Sequence, residues 1–348
     1  VKGKLDKDYT AGGYARGKLW GYNSSEGKKL YPFNAETFAA SGTPIETNEN
    51  VVDLTGAPEV KGGIPYSGGT MDSPASLVYV TYSGQVGLLN GTIKIGVSSG
   101  PFVSDEDNKT IYKLAAIAYV GNLTAKQVRA RFSGNSDLDN CADDAVCHVY
   151  YALTKDDTTN GATLRQLILV PQVDTSGDTP TLSYTLCGST IGTVEEFNSS
   201  STPTKSMDFL RKSDGSYGLL VARDEATDNI YYIDLTHHTG SGTLTATLMG
   251  TMPSTMTVDG KSKDVNSITG LYHTVDTKLS DTQIRNIAGW NDSSSTQSLA
   301  EVTLEASLKA VSAEGSGNGI ITVPVYADKN ATNGLWKLTY DSSKFIGT

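Results

Sequence analysis

The sequence predicts an all-β protein. Three observations carry that expectation. Short apolar runs rich in Val, Ile, Leu and Tyr recur along the chain, and many alternate with polar residues. Clusters of Gly, Asn, Asp, Ser and Thr separate the runs, which is the chemistry of tight turns. Charged residues are only 19% of the 348, and the polar remainder is made of turn formers rather than the Glu, Lys and Ala that fill helices.

The strand candidates follow in order. Ser76–Tyr82, Thr92–Ile95, Cys147–Leu153 and Leu164–Val170 read as strands, and so do Thr181–Leu186, Tyr217–Ala222, Asn229–Leu235 and Gly242–Leu248. Turns over Lys155–Gly161, Asp174–Asp178, Ser213–Gly215 and His238–Gly240 fall between them. Two segments have helical signals. Ser280-Asp-Thr-Gln283 is a capping-box pattern, with Ile284, Ile287 and Ala288 at helical spacing and Gly289 as a stop, so a short helix is expected there. Leu123–Phe132 is ambiguous. Thr124 could cap a helix, but Val128, Ala130 and Phe132 also alternate as in a strand.

Composition narrows the function classes. The formal net charge of −10 repels a phosphate backbone, so no nucleic-acid partner is expected. Leu114–Val120, the longest apolar candidate, falls far short of the roughly 18 residues of a membrane span. The chain opens at Val1 without a starting Met or a signal peptide, and it is expected to be a mature or excised piece of a larger exported protein.

Residues 10–279 contain a loose repeat. An aromatic strand ending in Asp or Asn appears at Leu30–Asn34, Tyr231–Asp234 and Leu271–Asp276, usually followed by a second strand and a Gly-bearing turn. A Met-Asp pair recurs at Met71-Asp72 and Met207-Asp208. This pattern resembles the blades of bacterial β-propellers, which stack radially because one sheet cannot bury both faces alone. The resemblance implies a β-propeller-like domain over residues 1–279 with four to six blades, at roughly 50 residues per blade. A sandwich or another irregular all-β domain is the alternative.

Residues 280–298 hold the expected short helix and a polar linker, Asn291–Ser298. Amphipathic strands are expected beyond it at 302–310, 320–326 and 335–341. Val323-Pro-Val325, Gly334 after an Asn-rich turn, and Tyr340-Asp341 at a strand end resemble the opening of a cohesin-like β-sandwich of bacterial surface proteins. The resemblance implies a truncated sandwich segment over 299–348. Its unpaired strands would be completed by a complementary C-terminal fragment, a neighbouring chain or the side of the propeller.

Several constellations bear on chemistry. Asp137, Asp139, Asp143 and Asp144 form the densest acidic cluster and are the candidate calcium ligands, with a solvated loop as the alternative. No other cofactor is expected. Cys141 and Cys147 flank a short acidic loop and could close it as a disulfide in an oxidising compartment, while Cys187 is left over. Gly96–Gly100 matches the G-x-S-x-G nucleophile elbow around Ser98, but no helical pattern follows, so a glycine-serine turn is expected. His148, His237, His238 and His273 lack metal-ligand spacing, and no zinc is expected. The 18 tyrosines fit strand cores better than sugar-stacking sites.

The resulting expectation is an extracellular or cell-surface bacterial binding or adhesion module that recognises a protein or glycan through propeller loops. A structural spacer and a carbohydrate-active enzyme are the alternatives, and no paired carboxylates can be located for the last.

Overall fold

The computed structural model describes residues 9–89 apart from 35, 36, 38 and 58; residues 113–132, 138 and 141–199; and residues 203–238 apart from 212–216 and 224–228. Elsewhere it describes little beyond the backbone of the strands named below. The chain is all-β, with a single helix among the described residues.

After a two-residue strand β1 (Lys4–Leu5), the first sheet is the antiparallel meander β2 (Ala11–Ala15), β3 (Lys18–Asn23), β4 (Lys29–Phe33) and β5 (Ile45–Glu46). The second is built from β6 (Val51–Ala57), β9 (Ser76–Thr81) and β10 (Val86–Leu88). A hairpin, β7 (Val60–Tyr66) and β8 (Gly69–Ser73), is inserted between β6 and β9. A short β11 (Ile93–Ile95) precedes the third sheet, the long meander β12 (Leu114–Thr124), β13 (Val146–Thr154), β14 (Ala162–Asp174) and β15 (Thr181–Val194). The helix α1 (Ala125–Arg131) lies between β12 and β13. The fourth meander is β16 (Thr204–Arg211), β17 (Tyr217–Arg223), β18 (Asn229–Asp234) and β20 (Ala246–Thr251), with β19 (Gly242–Leu244) running parallel to β15.

Consecutive sheets pack face to face. Leu30, Trp20 and Tyr22 of the first meet Leu54, Leu77 and Tyr79 of the second. Val78 and Val80 of the second meet Ile117, Tyr150, Ala152, Leu167 and Leu169 of the third. On the opposite face of the third sheet, Tyr151, Leu153 and Leu164 meet Met207, Phe209, Leu219 and Val221 of the fourth. Successive residues of a strand point to opposite faces. With partners on both sides, β13 and β14 become near-continuous apolar runs instead of alternating ones.

The first strands of the sheets also touch. β2 packs on β6, β6 on β12 and β12 on β16. The circuit closes through β23 (Tyr272–Val275), which lies beside both β16 and β2. Two glycines permit the β2–β6 approach. A Cβ on Gly13 would collide with the Leu54 carbonyl oxygen, and one on Gly56 would sit 2.5 Å from the Ala15 Cβ.

The remaining strands are β21 (Thr255–Val258), β22 (Lys261–Ile268), β24 (Ile284–Ile287), β25 (Gln297–Ser298), β26 (Ala300–Thr303), β27 (Asn318–Ala327) and β28 (Gly334–Asp341). One expectation is corrected here and one ambiguity is resolved. The helix expected around 284–289 is replaced by β24, which pairs antiparallel with β23. Tertiary strand pairing overrides the local capping pattern. The ambiguous segment after Leu123 is a helix, the first of its two readings. Both bonds of the Thr124–Gln127 capping box are made, and Val128 turns inward.

The two later strands expected of 299–348, at 320–326 and 335–341, are present as β27 and β28. Only the start of the expected 302–310 strand lies within the described residues. β27 is flanked by β28, β22 and β24 of the same chain.

Candidate functional site

The first strands of four sheets begin on one side of the molecule and enclose a cavity of about 650 Å³ there. Thr10 precedes β2, Asn50 and Val52 stand at the head of β6, Ala115 at the head of β12, and Thr204 and Lys205 at the head of β16. Tyr22, Tyr82 and the Lys155-Asp156 pair complete the wall. Lys155 and Asp156 come just after β13, which runs antiparallel to β12 and so ends where β12 begins.

One wall is held by a buried ion pair. The Arg223 guanidinium donates from Nη2 to Asp156 Oδ2 at 2.6 Å and from Nη1 to Asp156 Oδ1 at 3.1 Å. Both side chains are 1% exposed. A third bond runs from Nη1 to Thr204 Oγ1 at 3.2 Å, and the guanidinium lies over the Phe197 ring, 3.9 Å from its centroid. Planar bidentate geometry and stacking are what arginine supplies and lysine cannot. They fix Asp156 and Thr204 in the cavity wall.

The rim is more open. Tyr82 is 72% exposed, the most exposed large hydrophobic side chain among the described residues. The Lys155 ammonium sits 5.3 Å from the centroid of its ring and donates to its backbone oxygen at 2.9 Å. The Tyr22 hydroxyl donates its one proton between the Glu49 carbonyl oxygen at 2.9 Å and Asn50 Oδ1 at 3.2 Å. Burial raises the Tyr22 phenol above its ordinary value, so it remains a neutral donor.

One or two residues further along the same strands, Asp53 is fully buried. Its Oδ2 accepts the Ile117 backbone N–H at 2.9 Å and its Oδ1 accepts the Ser206 hydroxyl at 2.8 Å. One carboxyl thus joins β6, β12 and β16. Burial holds Asp53 well above the usual carboxylate range. A parallel tie runs from the Tyr119 N–H to Thr55 Oγ1 at 3.2 Å.

A second constellation has the outline of a nucleophilic triad. Ser73 Oγ lies 2.7 Å from His148 Nε2, and His148 Nδ1 lies 2.8 Å from Asn122 Oδ1. Ser73 is fully buried and His148 is 1% exposed, so no substrate reaches the hydroxyl. Burial lowers His148 to about 4, which favours the neutral ring. The arrangement clamps the end of the β7–β8 hairpin onto the third sheet. Sequence reasoning missed it because the three residues share no motif spacing.

The residues singled out from sequence lie elsewhere. Asp143 pairs with the Arg129 guanidinium, which also donates to the Leu138 and Cys141 carbonyl oxygens at 3.0 and 2.6 Å. Asp144 is exposed, and Asp137 and Asp139 lie outside the described residues. Among the described residues no group of three or more His, Cys, Asp or Glu side chains gathers as a metal site. The disulfide between Cys141 and Cys147 is not formed. Both are free thiols, buried with Cys187 in one apolar cluster beneath α1. Burial pushes the Cys141 thiol up to about 11 and raises Cys147 further, which leaves both protonated and unreactive. Ser98 falls outside the described residues. His238 Nε2 meets the Ile191 carbonyl oxygen at 2.7 Å.

The sequence matches no protein-family model and no curated protein. No helix among the described residues is long and apolar enough to cross a membrane.

Proposed function

We propose that the chain is a β-propeller-like carbohydrate-binding module of a secreted or surface-displayed bacterial protein, with its ligand held in the cavity at the heads of the first strands. The propeller reading is supported by four successive meanders packed face to face and by the closed circuit of first strands, β2–β6–β12–β16–β23. That circuit fits five blades. The cohesin-like resemblance of residues 299–348 supports the surface assignment, and buried, protonated thiols tolerate an oxidising compartment.

The observation that carries the ligand reading is the cavity itself. At about 650 Å³ it has the size of a small-molecule site rather than of a protein–protein interface. Its wall combines an exposed aromatic face at Tyr82 with the polar groups of Thr10, Tyr22, Ser24, Asn50 and Thr204. Aromatic faces cover the apolar faces of sugar rings, and hydroxyl and amide groups meet the sugar hydroxyls. Binding is favoured over hydrolysis. Glycoside hydrolysis calls for a pair of carboxyl groups, whereas among the described residues the one carboxylate lining this cavity, Asp156, is held by Arg223.

A glycan array probed with the purified chain and with Tyr82→Ala tests this. Saturable binding to a defined set of glycans, lost in the variant while its thermal melt is unchanged, is expected. Glycan binding that Tyr82→Ala leaves intact would place the site elsewhere.

A further inference from the structure

We infer that the ligand is a chain of linked sugars, running from the first cavity across the β13–β14 turn into a second cleft lined by Thr159, Asn160, Thr190, Thr193 and Asn198. This rests on the carbohydrate reading and extends it. The second cleft has a volume of about 650 Å³, like the first. The two are neighbours, because two segments border both. Lys155 and Asp156 line the first cavity, and Thr159 and Asn160 of the same turn line the second. Asp156 and Thr159 are three residues apart, at most about 11 Å along the chain. After β15, Glu195 and Asn198 line the second cleft, and Pro203 and Thr204 line the first. The buried ion pair stands at this boundary. Arg223 grips Asp156 and lies over the ring of Phe197, the neighbour of Asn198. The turn is fixed as well. Asp157 Oδ1 accepts the Thr159 and Asn160 backbone N–H groups at 2.8 and 3.0 Å. A Cβ on Gly161, where φ is +76°, would collide with the Val194 carbonyl oxygen, so the turn closes tightly on the end of β15.

The chemistry of the second cleft suits a polyhydroxyl chain. Among the described residues, the hydroxyls of Thr159, Thr190 and Thr193 and the carboxamides of Asn160 and Asn198 have no hydrogen-bond partner in the protein. Hydroxyls and carboxamides both donate and accept, as sugar hydroxyls do. Thr193 pairs with Thr243 of β19 in parallel register, next to the pair Gly192–Gly242. At that glycine pair the lining is bare backbone, which lets a ligand approach closely. A divalent cation is a poorer fit. Calcium takes about six to eight oxygens, with carboxylates first among them, whereas among the described residues the one carboxylate here, Glu195, accepts the Thr243 hydroxyl at 3.0 Å. The described lining holds no aromatic ring, so hydrogen bonds alone would hold a free sugar there weakly. A sugar linked to one already stacked on Tyr82 is held at a high effective concentration, and the second cleft then adds affinity. Short glycans therefore use the first cavity only, and longer ones use both.

The test is calorimetric titration of the full chain with cello-, xylo-, manno- and malto-oligosaccharides, each from the disaccharide to the octasaccharide. In the series that binds, affinity is expected to rise about tenfold or more once the sugar chain is long enough to reach the second cleft, as for one or two added hydrogen bonds. Beyond that length it should level off. Thr190→Val combined with Thr193→Val removes two hydroxyls and keeps strand-forming side chains. The double variant should bring the long oligosaccharides down to the affinity of the short ones, and neither residue lines the first cavity. Asn198→Ala, at an exposed position outside the strands, probes the same cleft should the double variant melt early. Affinity independent of length, with binding lost in Tyr82→Ala, would overturn the second cleft and leave the carbohydrate reading standing. A rise with length that survives the cleft variants would overturn it too. Failure of all the series at millimolar concentration, with the melt of the chain intact, would overturn both readings.

Discussion

Replacing Asp156 by Asn tests whether the buried ion pair holds the cavity wall. The wild-type carboxylate receives two charge-assisted bonds from Arg223, at 2.6 and 3.1 Å, with both groups 1% exposed. Each such bond contributes about 1.5–3 kcal/mol. The amide retains one acceptor but carries no charge, and it takes from the buried guanidinium the carboxylate that binds it at both oxygens. Breaking a buried pair from one side costs about 3–5 kcal/mol, a large part of the roughly 5–15 kcal/mol by which a domain is stable. Arg223→Met alone should cost a similar amount, since it takes two charge-assisted bonds from the buried carboxylate. Together the two changes remove both charges of the pair, so the double variant should be far more stable than the sum of the singles implies. Urea denaturation followed by circular dichroism, arranged as a double-mutant cycle, measures the coupling. A coupling below about 1 kcal/mol, the range of an exposed surface pair, would refute the argument.

Three further outcomes are expected. Asp53 is held above its ordinary value by burial, so the fold binds the proton more tightly than the unfolded chain does, and its contribution to stability falls as pH rises above about 4; urea midpoints of Asp53→Asn should therefore gain on wild type between pH 4.5 and pH 8, and a constant difference would contradict this. His148 is lowered to about 4, so its contribution is complete above the unfolded value near 6.5 and is lost as pH falls toward 4, about 3 kcal/mol in all; the ring should stay neutral at pH 5.5 by NMR, and a midpoint above 6 would show that it is hydrated. Gly13→Ala forces a methyl group against the Leu54 carbonyl where β2 meets β6, and it should lower stability by about 1–3 kcal/mol in a thermal or urea melt, whereas a neutral effect would mean that the two strands can part.

The sequence made some features legible and hid others for physical reasons. Strands such as Tyr217–Arg223 were readable because turn residues bound a run that is buried on both sides. The tyrosine-aspartate repeat was partly meaningful. Leu30–Asn34 and Tyr231–Asp234 hold the third strands of the first and fourth sheets, β4 and β18, whereas Leu271–Asp276 spans β23, which stands in the circuit of first strands. The two capping-box patterns show the limit of local signals. At Thr124 the box closes because the helix covers the Cys147–Val149 end of β13, and at Ser280 the residues that follow find a strand partner instead. The cavity was out of reach because its wall comes from the heads of strands that are adjacent only once the sheets pack. Lys155 and Asp156 were readable only as part of a turn, and nothing nearby in sequence announces Arg223 as the partner of Asp156.

The circuit of first strands also has a consequence for how the molecule is made. Its closure depends on β2 meeting β23, and it is reinforced where Lys4–Leu5 pairs with Gln297–Ser298. A ribosome adding about 5–20 residues per second needs on the order of half a minute to span that interval. During that time the leading sheet has one flank packed on its successor and the other bare. Contacts so distant in sequence make folding slow, and the bare flank is where nascent copies of the chain would stick to one another. Once closed, the circuit has no free end from which to peel, so unfolding must break a sheet interface outright. The same closure that delays the native state should therefore make it long-lived.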